Sequence, residues 1–106
     1  MSKKILLLGF AENVLADTQQ QVERPGLEFF RGTSLEDVRA VLARTDIDLA
    51  IMGAKLPLET RLEMVRAIFE ASDRASVHMR PQSGPGPAGF LPFVRAVLRG
   101  LTEDEE

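Results

Sequence analysis

The stretch "IDLAIMGAKLP", from Ile47 to Pro57, decides which fold the chain can adopt. Its middle part, "DLAIMG" at 48–53, is an apolar run closed by a glycine, as is typical of a strand covered on both faces of a parallel sheet. Leu56 and Pro57 end the loop behind it, since proline marks turns and cannot continue a strand ladder. The stretch therefore predicts a buried parallel strand that runs into a loop.

Three further segments are typical of strands, because they are short apolar runs that end at a glycine or a loop signal. They are "KKILLLG" at 3–9, "LEFFRG" at 27–32 and "SVHM" at 76–79. The stretch "RPQSGPGPAG" at 80–89 is too rich in glycine and proline for either a strand or a helix, so it predicts a loop.

Four segments carry apolar residues at helical spacing. The second of them opens with overlapping capping boxes, Thr33 with Glu36 and Ser34 with Asp37, which predict a helix start at this point. The four predicted helices are "ENVLADTQQQVER" at 12–24, "TSLEDVRAVLART" at 33–45, "LETRLEMVRAIFEAS" at 58–72 and "FLPFVRAVLRGL" at 90–101.

The spacing within the longest helix predicts which of its residues face the core. The inward set is expected to be Leu58, Leu62, Val65, Ile68 and Phe69. The charged residues of this helix recur at intervals of three and four and are expected to form ordinary surface pairs. They are Glu59, Glu63 and Glu70 with Arg61, Arg66 and Arg74.

Strand and helix alternate four times, which predicts parallel strands joined by right-handed crossovers. We expect an α/β fold: a small, doubly wound, flavodoxin-like sheet of four parallel strands in the order 2-1-3-4, with helices on both faces. Residues 1–101 are expected to form a single domain, and residues 102–106 a flexible acidic tail. Ligand sites in such sheets lie at the carboxyl ends of the strands.

Composition narrows the function classes. The 106 residues include no cysteine, which excludes disulfides and thiolate chemistry and fits a cytoplasmic location. The net charge of −3 does not favour nucleic acid, whose binding normally needs a basic face. No apolar run approaches the about 20 residues needed to cross a bilayer, so no membrane association is expected.

The opening stretch resembles the third strand and following loop of response-regulator receiver domains. Asp48, Leu49, Leu56 and Pro57 match that pattern, and Gly53 stands at the position of the phosphoacceptor aspartate. The first strand and the last strand and helix are also similar to those of receivers. One strand-helix unit is missing between residues 72 and 77.

The departures from the receiver pattern bear on chemistry. Gly9 and Phe10 fall where the paired metal-binding acids would be, and Arg80-Pro81 replaces the usual Lys-Pro. Phosphoryl transfer to a carboxylate needs that carboxylate and acidic oxygens to hold Mg²⁺. The resemblance therefore implies a non-catalytic pseudo-receiver, not an enzyme, with no cofactor and no metal site.

We expect such a module to act by docking to a protein, either an unknown partner or a second copy in a homodimer. Phe90 and Phe93 cannot both share the core with Leu91 and Val94, because these positions span most of the helix circumference. The expected interaction surface is Phe90, Phe93 and Val97 on the last helix.

The alternative function is binding of a small anionic ligand by the strand-end loops. Arginine and the amide groups before a helix N-terminus both favour phosphate or carboxylate. The candidate residues are Arg80, Ser83, Gly84, Gly86 and Gly89. A plain connecting loop remains open as well, since its prolines remove donors. His78, the single histidine, is expected to be a packed residue.

Overall fold

The structure, a computed structural model, describes residues 2–72, 74–80 and 89–104, with side chains in the last range up to residue 100. Its four strands form one parallel sheet in the order β2-β1-β3-β4, which confirms the predicted fold. The strands are β1 Lys3–Leu8, β2 Leu27–Gly32, β3 Leu49–Met52 and β4 Ser76–Met79. The helices are α1 Glu12–Val22, α2 Leu35–Arg44, α3 Leu58–Ala71 and α4 Phe90–Asp104.

Helices cover the two faces of the sheet in pairs. Side chains alternate along a strand, so Ile5 and Leu7 of β1 pack with α1 and α4 on one face. Leu6 and Leu8 pack with α2 and α3 on the other face. All four are fully buried, which explains why β1 is apolar without interruption.

Asp48, from the stretch that predicted the fold, joins strands at the amino end of the sheet. Its carboxylate accepts a hydrogen bond from the backbone N–H of Lys4 at 2.8 Å. Its own N–H donates to the Lys4 carbonyl at 2.9 Å, and its carbonyl accepts from the N–H of Ser76 at 3.1 Å. These bonds link β1, β3 and β4 at the end of the sheet opposite the expected ligand site.

Helix α2 begins where the capping pattern predicts, although the bonds differ in part. Ser34 is the N-cap and its hydroxyl accepts from the N–H of Asp37 at 3.1 Å. The Asp37 carboxylate accepts from the N–H of Thr33 at 2.9 Å. This hydrogen bond is the first cause that lowers the pKa of Asp37 below its ordinary value.

Helix α3 is rotated relative to the prediction, and this is the main correction to the expected core. Its buried residues are Arg61, Met64 and Ile68. The predicted inward residues Leu58, Leu62 and Phe69 are instead exposed, at 51%, 53% and 51%. Both sets follow helical spacing. Among the described residues β4 is the edge strand of the sheet and α4 packs on the opposite face, so neither a further strand nor α4 covers the second set.

Helix α4 buries Phe90, which we expected on the interaction surface, together with Val94 and Leu98. Phe90 is only 4% exposed and belongs to the core shared with α1, so it is not available as an interaction surface. Phe93 and Val97 are half-buried and pack against the same core. The helix continues to Asp104, so the expected tail boundary at residue 101 falls inside it.

The edge strand β2 is covered by helices on both of its faces. In β2, Phe29 packs on the α1 face and Phe30 on the α2 face, as a strand covered on two sides allows. None of the helices in the described part of the chain has the length and apolar character that a bilayer-spanning helix requires.

Candidate functional site

The carboxyl ends of three strands surround a cavity of about 220 Å³. Parallel strands bring these ends to one edge of the sheet, where we expected a site. The described residues that line the cavity follow β1, β3 and β4 or belong to α1 and α4. They are Gly9, Phe10, Ala11, Val14, Leu15, Gly53, Ala54, Lys55, Arg80 and Phe90.

The cavity wall is largely apolar. Leu15 and Phe90 are buried, Val14 is half-buried, and Phe10 at the rim is 69% exposed. An aromatic side chain this exposed beside a cavity is one that a ligand could cover. Sequence reasoning assigned no role to Phe10 beyond the absence of a metal-binding acid.

Arg80 is the buried charged residue among the described residues of this wall. Its side chain lines the cavity, the residue is 5% exposed, and its Nη2 is buried without a hydrogen-bond partner in the structure. A buried donor that is left unsatisfied costs about 1–3 kcal/mol, and more when the group is charged. Buried polar groups in proteins normally have a hydrogen-bond partner, so a buried donor without one is a candidate ligand-binding group.

The main chain of Arg80 holds this residue in place. Its N–H donates to the Met52 carbonyl at 3.0 Å, which continues the β3–β4 ladder by one residue. Its carbonyl accepts a hydrogen bond from Nη1 of Arg61 at 2.9 Å. The backbone from which the Arg80 side chain extends is therefore tied to both β3 and α3.

Arg61 is a second buried arginine, and the expectation that it forms a surface pair was wrong. It is 4% exposed, and its Nε is also buried without a partner. Arg66 and Glu70 do form the expected pair, at 3.2 Å. The signal that could have identified Arg61 is its spacing of three and seven residues from Met64 and Ile68, which share one helical face.

Gly89 lets the Arg80 side chain lie against the start of α4. A Cβ at this position would stand 2.8 Å from Arg80 Cζ, closer than real Cβ contacts allow. Of the five residues predicted to hold an anion, the structure therefore brings Arg80 and Gly89 together. Ser83, Gly84 and Gly86 lie outside the described residues.

The charge at this site is positive. Lys55 is exposed at the rim near Arg80, and none of the described lining residues carries a carboxylate. Glu12, the acid nearest in sequence, forms an ion pair with Arg31 at 2.8 Å. No group of three or more metal-ligating side chains occurs among the residues whose placement is described.

Gly53 is buried beneath the ring of Phe90. A Cβ there would meet Phe90 Cδ1 at 3.4 Å, so the ring occupies the space into which a longer side chain would extend.

His78 is exposed on β4, which corrects the expectation that it is packed.

No protein-family model matches the chain, and no curated protein is similar to it in sequence.

Proposed function

We propose that this protein is a non-catalytic α/β module that binds a small organic anion at the carboxyl ends of β1, β3 and β4. The observation that carries the proposal is Arg80 Nη2, a cationic donor that is buried in a cavity wall and has no hydrogen-bond partner among the described residues. Buried charges in proteins are normally paired. An anion in this cavity would supply the missing acceptor.

The surrounding groups support an anion over a cation or a neutral polar ligand. Lys55 adds a second positive charge at the rim, and Arg61 places a third cation behind the Arg80 carbonyl. The described part of the cavity wall offers no hydroxyl, imidazole or carboxylate next to these cations. For this reason the proposal includes binding and no catalytic step.

The test is an NMR titration of the ¹⁵N-labelled protein with acetate, benzoate and phosphate. At least one anion is expected to bind saturably and to shift the amide signals of Ala54, Lys55 and Arg80. The variant Arg80→Met keeps the apolar stem and removes the charge, so binding should be lost. Arg99→Met is the matched control, because Arg99 is an exposed arginine of α4 that is not among the described lining residues. Retained binding in Arg80→Met, or no response to any anion, would contradict the proposal.

A second candidate function is docking of protein to protein, and the exposed side of α3 favours it. We define the α3 stripe as Leu58, Leu62, Val65 and Phe69. Helical geometry places the stripe opposite Ala67, which lines the cleft toward α2. The stripe thus lies on the side of α3 that faces the β4 edge of the sheet.

The β4 edge adds a backbone surface to the α3 stripe. Ser76 and Arg80 donate their N–H groups to β3, so Val77 and Met79 direct theirs away from the sheet. A second copy carries the same edge and the same stripe, and a twofold axis could pair both at once. This replaces the last helix, which the sequence predicted as the docking surface.

The oligomeric state tests this candidate. Light scattering should give a dimer for the natural chain and a monomer for Leu62→Glu, because a charge in the stripe opposes burial. Ala43→Glu changes an exposed residue of α2 and serves as the control. A monomeric natural chain at high concentration would exclude self-association through the α3 stripe.

A further inference from the structure

We infer that the ligand is a monocarboxylic acid with a flat apolar body of the size of benzoate. This inference rests on the proposed anion site and names the chemical class that the site selects. Three properties of the cavity support it. They are the planar guanidinium of Arg80, the strand-end N–H groups that are already bonded within the sheet, and the size and apolar character of the wall.

The cation suits a carboxylate. The guanidinium of arginine is planar and presents two parallel N–H donors to the two oxygens of a carboxylate. Arg80 is the buried cation among the described lining residues, whereas Lys55 is exposed. A monocarboxylate matches the one buried positive charge of the wall, whereas the second charge of a phosphate would have only the exposed Lys55 at the rim to balance it.

The glycines at the strand ends do not provide the backbone cradle that phosphates use. The N–H of Gly9 donates to the Gly32 carbonyl at 3.3 Å, and that of Gly53 donates to the Leu8 carbonyl at 2.9 Å. The N–H of Arg80 is likewise bonded to Met52. These donors belong to the sheet ladder, so they are not directed at a ligand. At the described strand ends a phosphate would therefore find few of the several donors that its oxygens require.

The apolar wall and the volume define the body of the ligand. A cavity of about 150 Å³ holds benzene, with six carbon atoms. The cavity here, about 220 Å³, therefore has room for about nine non-hydrogen atoms by proportion, the number in benzoate. Phe10 at the rim and Phe90 in the wall are aromatic, and aromatic pairs favour offset stacked or edge-to-face arrangements.

The experiment compares four compounds that differ in one property each. NMR titrations of the natural chain with benzoate, acetate, benzamide and phenyl phosphate give four dissociation constants. We expect benzoate to bind at least about tenfold more tightly than acetate, since even one methylene in an apolar pocket changes binding by about tenfold or more. Benzoate should also bind more tightly than benzamide and phenyl phosphate, which lack the carboxylate that matches the guanidinium. Phe10→Ala should weaken benzoate several-fold and leave acetate unchanged.

Each outcome separates this inference from the proposed function. Equal affinity for acetate and benzoate would refute the apolar body and leave anion binding standing. Tighter binding of phenyl phosphate would refute the carboxylate class alone. Benzamide equal to benzoate would overturn anion recognition itself, and with it both proposals, as would the absence of binding by all four. Phe10 is largely exposed, so a folding defect in Phe10→Ala is not expected, and the amide spectrum checks this.

Discussion

Replacing Arg80 with methionine should make the unliganded protein more stable, although it removes the residue that we place at the centre of the site. Arg80 Nη2 is buried without a partner. An unsatisfied buried donor costs about 1–3 kcal/mol, and a charged one more. Methionine retains an unbranched apolar stem that can fill the space of the arginine stem.

The expected gain in the free energy of unfolding is about 1 kcal/mol, the lower end of that range, because the substitution also changes packing against Gly89. For a domain of this size, a change of 1 kcal/mol raises the melting temperature by about 4–8 °C. Urea unfolding measures this free energy. Circular dichroism is the suitable signal, because the chain has no tryptophan or tyrosine whose fluorescence could follow unfolding.

Ligand should reverse the order of the two proteins. Benzoate at one hundred times its dissociation constant stabilises a protein that binds it by about 2.7 kcal/mol and should leave Arg80→Met unchanged. The natural chain would then be the more stable of the two. Arg99→Met, the exposed control, should follow the natural chain in both conditions. If Arg80→Met loses more than about 1 kcal/mol without ligand, the guanidinium has a structural role and the reasoning fails.

Three further results are expected. Gly89→Ala should weaken anion binding about tenfold, because the added methyl group forces the Arg80 guanidinium to move. The control Gly100→Ala places its methyl group in open space, so it should leave binding intact and stabilise α4 by about 0.5–1 kcal/mol. Equal affinities in the two variants would contradict this. The lowered pKa of Asp37 adds stability that is present above its ordinary value of 3.8 and is lost as the pH falls through the lowered pKa. Asp37→Asn should thus be less stable than the natural chain in urea unfolding at pH 7, the difference should shrink as the pH falls below 3.8, and a difference that does not change with pH would count against this assignment. Acetyl phosphate with Mg²⁺ should leave the mass of the protein unchanged, because Gly53 offers no carboxylate to receive a phosphoryl group; an added phosphate would overturn that prediction.

Sequence periodicity was sufficient for the sheet because its two central strands, β1 and β3, are buried on both faces. The continuous apolar runs of β1 and β3 have few alternative interpretations, and glycines mark their ends. Parallel pairing then constrains the order of the strands. The position of the site, at the carboxyl ends of the strands, followed from the same rule.

The composition of the site was predicted only in part. Arg80 and Gly89 were among the candidate residues, and the structure places them in contact. Phe10 and Arg61 were not, because their roles depend on which elements lie next to them. The spacing of Arg61 from Met64 and Ile68 was compatible with burial, but the charge patterning of α3 was equally compatible with a surface pair.

The sequence by itself determined the order of elements, the parallel sheet and the edge at which the candidate cavity lies, because these depend on local patterns of apolar residues and turns. Only the tertiary structure decided which face of α3 is buried. Two sets of residues on that helix have helical spacing, and the choice depends on β4 being the last strand of the sheet. It also decided that Arg80 Nη2 is buried with no hydrogen-bond partner among the described residues, since burial and pairing depend on residues far apart in the chain.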